Sequence, residues 1–107
     1  MPEKDNYTTE VVFRADKSGD FKDVVFALFP YNFESAFNSN LVLSYQHVGQ
    51  HSVADYTHCI NTSRPVTEEE YQDLKQELES LGYNLEVVPK RNSQKVKELF
   101  SQFKNNR

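Results

Sequence analysis

The chain has 107 residues, the usual size of one domain, and a chain this short buries only about 60–70% of its unfolded surface, enough for one core. Its single cysteine, Cys59, excludes an internal disulfide framework and fits a reducing compartment. The net charge of −4 is unevenly spread: residues 90–107 hold six bases and one acid (+5), and residues 1–89 hold six bases and fifteen acids (−9), so only the tail could attract a phosphate backbone. No apolar run approaches the roughly 18–20 residues that span a bilayer, so no membrane partner is expected. Residues 1–10 are polar, without a signal-type apolar run, and a cytoplasmic location is expected.

The first nine residues read as a flexible N-terminus. From Glu10 to Ala15, Val11, Phe13 and Ala15 alternate with Val12 and Arg14, the period of a strand. Asp16-Lys17-Ser18-Gly19-Asp20 supplies the turn formers of a hairpin loop. Asp23 to Phe29 then runs apolar without a polar break, which predicts a central strand covered on both faces. Residues 30–40 read as a loop holding Tyr31, Phe33 and Phe37, either a flap of the core or an exposed patch. Leu41 to Val48 alternates again, with Leu41, Leu43, Tyr45 and His47 on one face. Tyr56 to Asn61 reads as a short further strand.

The clearest helix follows Thr67, whose spacing from Glu70 makes a capping box. Glu68 and Glu69 complement the helix dipole, and Tyr71, Leu74, Leu78 and Leu81 form one apolar stripe. Gly82 suits the αL cap, Tyr83, Leu85 and Val87 alternate as a strand, and Pro89 ends it. A last helix over residues 93–104 carries Val96, Leu99, Phe100 and Phe103 on one face. The expected fold is therefore α+β, one domain in the order β-β-β-α-β-α. About four strands form a mixed or antiparallel sheet over residues 10–89, with one helix on a face and an amphipathic C-terminal helix.

All three histidines fall between residues 47 and 58, with Asp55 inside that stretch and Cys59 just after it. His47, His51, Asp55 and His58 are the residue types of a metal or hydrolytic site, but their spacing matches no zinc pattern. Histidines that cap strand ends and hydrogen-bond backbone in a loop are the simpler explanation. Cys59 follows His58 directly, a poor geometry for a thiol and its base in a strand. The three glycines build no phosphate cradle, and no cofactor is expected. Lys95, Lys97 and Lys104 could touch phosphates, but they also complement the acidic body, so nucleic acid is not the expected partner.

Tyr45-Gln46-His47-Val48-Gly49-Gln50-His51, followed by Ala54-Asp55-Tyr56, resembles the signature of a family of short uncharacterised proteins from bacteria, their phages and mobile elements. Thr67-Glu68-Glu69-Glu70-Tyr71 through Gly82-Tyr83-Asn84-Leu85 is similar to the same family's helix-then-strand half, and the likeness covers about residues 23 to 88. It implies a small bacterial or phage cytosolic protein and no mechanism. It directs attention to a polar cluster of Tyr45, His47, Gly49, Gln50, His51 and Asp55. The resulting expectation is a non-enzymatic accessory or protein-interaction domain of unassigned oligomeric state. The rivals are a small metal-dependent or hydrolytic enzyme using His47, His51, Asp55 and His58, and a nucleic-acid binder acting through the basic helix.

Overall fold

A computed structural model describes residues 8–46 and 50–105. Strands β1 (Thr9–Asp16), β2 (Val25–Phe33), β3 (Leu41–Gln46) and β4 (Gln50–Asp55) follow one another as antiparallel neighbours. Helix α1 (Tyr56–Asn61), strand β5 (Ser63–Pro65), helix α2 (Glu68–Ser80), strand β6 (Leu85–Val87) and helix α3 (Ser93–Asn105) complete the chain. The sheet runs β4-β3-β2-β1-β5, and β6 also joins β1. β5 pairs antiparallel with the last residues of β1, and β6 pairs parallel with the first three, so two short strands divide one edge of β1 between them.

The α+β class and the C-terminal helix agree with the sequence. The element order does not: β4, α1 and β5 are additional, and Tyr56–Asn61 is a helix rather than a strand. The cause is local. Asp55 caps this helix by accepting a hydrogen bond from the His58 amide, and Tyr56, Cys59 and Ile60, at helical spacing, all pack on the same core. The flexible-terminus expectation falls mostly on residues 1–7, outside the described residues, and Thr9 already belongs to β1.

Both faces of the sheet are covered. On one face Val11, Phe13, Ala27, Phe29 and Tyr45 pack beneath Leu74 and Leu78 of α2, and Phe13 stacks on Tyr71 at 4.6 Å. On the other, Val12, Leu28, Val42 and Phe33 pack beneath Tyr56 of α1 and Val96 of α3. The amphipathic tail helix therefore closes its own domain. Leu81, assigned to the α2 stripe by spacing, is the helix C-cap and is exposed.

β2 starts one residue later than its apolar run, because Val24 follows Asp23, whose φ of 67° turns the chain at the mouth of the hairpin. It also continues through Pro30. The register jumps from Phe29↔Leu43 to Phe33↔Val42, leaving Pro30, Tyr31 and Asn32 without partners on β3. Proline's missing N–H costs nothing in such a bulge. Three extra residues also reverse the parity of the strand, and this carries Phe33 to the α3 face, against Phe100 and Phe103. The aromatic loop thus splits: Phe33 is core, Tyr31 accepts a hydrogen bond from the Asn92 amide, and Phe37 is 93% exposed.

The capping box of α2 is present, with Glu70 N–H donating to Thr67 Oγ1 and Thr67 N–H donating to Glu70 Oε1. Arg64 donates to Glu70 at 2.9 Å and to Asp23 at 3.3 Å. The Arg64 hydrogen bond, then the Thr67 backbone, hold the Glu70 carboxyl down at about 2, below its ordinary 4.5. A carboxyl lowered on folding stabilises above its ordinary value and loses that contribution as pH falls toward 2. The melting-temperature gap between wild type and Glu70→Gln is thus present at neutral pH and closes between pH 4.5 and 2.

Candidate functional site

The β3–β4 register sets Tyr45 opposite His51, both on the α2 face. The Tyr45 ring is 2% exposed, and its hydroxyl donates to Glu77 Oε2 at 2.5 Å. That bond, reinforced by burial and by the Glu77 charge, pushes the Tyr45 phenol up to about 12. His51 lies edge-on to Tyr45 at 4.7 Å, and its Nε2 is 2.8 Å from Tyr83 Oη. Tyr83 stacks on Phe29 at 5.1 Å, and burial raises its phenol too. These groups tie β3, β4, α2 and the segment after α2 together. Both phenols are kept protonated, and their hydrogen bonds with Glu77 and His51 anchor the β3–β4 hairpin to α2 and to the segment after it.

The other members of the expected cluster diverge. Asp55 spends Oδ1 on the His58 amide at 3.1 Å. His58 sits on α1 across the sheet from His51, where it lines a cleft of about 370 Å³ with Asp16, Phe26, Ser44, Ser52 and Cys59. Burial first, then the charges of Asp16 and Asp55, push the Cys59 thiol up, which suppresses its thiolate. His47 and Gly49 lie outside the described residues, and Gln50 opens β4 opposite Gln46. Among the described residues, no group of three or more His, Cys, Asp or Glu side chains is placed to hold a metal ion. Adjacency in sequence failed as a guide because the chain turns from β4 into α1 and sends His51 and His58 to opposite faces.

Two bases of the tail, Arg91 and Lys95, are turned onto the rest of the domain. The Arg91 guanidinium lies 4.1 Å from the Tyr56 ring centre and donates to the Ser39 carbonyl and to Asn40 Oδ1. Lys95 covers the Tyr31 ring and pairs with Glu10, and Lys104 lies over Phe100. A contact with no sequence signal beyond one charged residue in an apolar strand is Arg14. It reaches across β5 to the end of α1, donating to Ser63 Oγ (2.9 Å), the Ser63 carbonyl (2.8 Å) and the Ile60 carbonyl (3.2 Å).

The two edges of the sheet differ. At one, the strands are three residues long, and β5 ends in Pro65. At the other stands β4, six residues in unbroken register with β3, with no strand beyond it among the described residues. His51, Ser52 and Val53 are exposed, Val53 to 54%. β4 holds no Lys, Arg or Pro, the residues that usually blunt an open edge. The chain matches no protein-family model, no curated protein and no solved structure. Among the described residues, no helix is long and apolar enough to cross a membrane.

Proposed function

We propose that this chain is a non-enzymatic protein-interaction domain whose docking element is the open edge of β4. The observation that carries the reading is the contrast between the two sheet edges, one closed by short strands and a proline, the other long, regular and unguarded. Such an edge offers a row of backbone donors and acceptors to an added strand, with alternate side chains giving selectivity. The separation of His51 and His58 to opposite faces of the sheet supports it over the hydrolytic rival. The inward engagement of Arg91 and Lys95 weighs against a nucleic-acid role for the tail. The test is amide hydrogen exchange along β4, with and without a panel of short extended peptides bearing Val or Ile at alternate positions.

A further inference from the structure

We infer that the strand added to β4 is β4 of a second copy, antiparallel about a two-fold axis through Val53. This inference rests on the edge reading above and names its occupant. A two-fold axis perpendicular to a sheet leaves each face on the same side, so paired residues must share a face. Only registers centred on a residue meet that condition, and the two nearest the middle of β4 are centred on Ser52 or on Val53. The side chains decide between them. Centring on Val53 sets the two valines against each other and covers a side chain now 54% exposed. It also places His51 opposite Asp55 of the second copy on the same face, twice by symmetry, and Ser52 opposite Ala54 on the other. His51 bonds Tyr83 through Nε2, which leaves Nδ1 to meet the carboxylate, and Asp55 uses one oxygen as helix cap. Centring on Ser52 sets imidazole against valine and gives Asp55 no partner within β4. The favoured register thus matches a β-branched pair and two complementary polar pairs, the combinations that stabilise adjacent strands.

Each copy carries −4, which opposes association. That repulsion is screened beyond about 8 Å at physiological ionic strength, and Asp55 is the only acid on β4. A joint of two six-residue strands is small, so the association is weak and rises with concentration.

The experiment uses the full chain with Cys59→Ala, so that an introduced cysteine is the only thiol, each variant first showing the wild-type circular dichroism spectrum. Directly opposed Cα atoms in an antiparallel pair lie about 4.5–5.5 Å apart, within reach of a disulfide, and diagonal neighbours beyond about 7 Å are not. Val53→Cys under mild oxidation is expected to give a reducible species of twice the 12.5 kDa protomer mass, and Ser52→Cys is not. Light scattering on the unmodified chain is expected to show mass rising above 12.5 kDa with concentration, and Val53→Lys to remove the rise. Cross-linking through Ser52→Cys in preference to Val53→Cys, or an unmodified chain that stays at 12.5 kDa at every concentration, overturns the inference. If either occurs while extended peptides still protect the β4 amides, the second copy is the wrong occupant and the docking edge stands; if the protection fails as well, both readings fall.

Discussion

Leu28→Ala is expected to lower the unfolding free energy by about 3–5 kcal/mol. Leu28 is fully buried at the centre of β2, opposite Val12 on one neighbouring strand and Ser44 on the other. It lies in the cluster that α1 and α3 close from above. Truncation removes buried apolar area and also leaves a cavity, because the flanking strands are fixed by their ladders and cannot collapse into it. A native domain has only about 5–15 kcal/mol to lose, so the variant gives up a large share of its stability. Urea unfolding of Leu28→Ala beside Val53→Ala checks the claim. The exposed edge residue should cost under about 0.5 kcal/mol, and equal costs would mean that the core is misplaced.

Arg14→Ala follows at about 2–3 kcal/mol. Its guanidinium supplies three charge-assisted hydrogen bonds, to the Ser63 hydroxyl and to the Ser63 and Ile60 carbonyls. Ser63 is 1% exposed, and its carbonyl would lose a donor in the interior. The Ile60 carbonyl lies at the end of α1, where a cation also complements the helix dipole. Bonds to a charged donor contribute about 1.5–3 kcal/mol, and a buried acceptor left unmatched costs about 1–3 kcal/mol. Burial of the guanidinium itself, which lowers its pKa, offsets part of this, so the contributions do not simply add. Arg14→Lys is expected to recover less than half of the loss, because one ammonium cannot reproduce the planar fork that reaches Ser63 and Ile60 together. Urea titration of the three proteins, with α1 followed by limited proteolysis, checks both the size of the loss and its location.

Elements that bury a periodic face could be read from the chain alone. α2 was legible from Thr67 and Glu70 and from Tyr71, Leu74 and Leu78, and α3 from Val96, Leu99, Phe100 and Phe103, because each set repeats at helical spacing. β2 was legible as a strand covered on both faces because Val25 to Phe29 has no polar break. β4 was not, and the reason is physical. Gln50–Asp55 takes its strand form from pairing with β3, a partner outside the window that periodicity inspects, and His51-Ser52-Val53-Ala54-Asp55 buries little. α1 is too short to declare a period, although Asp55 as cap and the spacing of Tyr56, Cys59 and Ile60 were signals in plain view. The candidate site was legible in part. His51 and Tyr45 do meet, but with Tyr83 and Glu77, which lie about thirty residues away. The open edge of β4 emerges only from topology, because it is defined by the absence of a neighbouring strand among the described residues.

Residue-resolved amide hydrogen exchange on the intact chain tests the role given to that edge most directly. With an extended peptide bound, the outward amides of β4 should exchange at least about tenfold more slowly, while those of β5 and β6 keep their rates. Peptides that bind and slow β5, β6 or α3 instead, or a panel that leaves β4 exchange unchanged throughout, would contradict it.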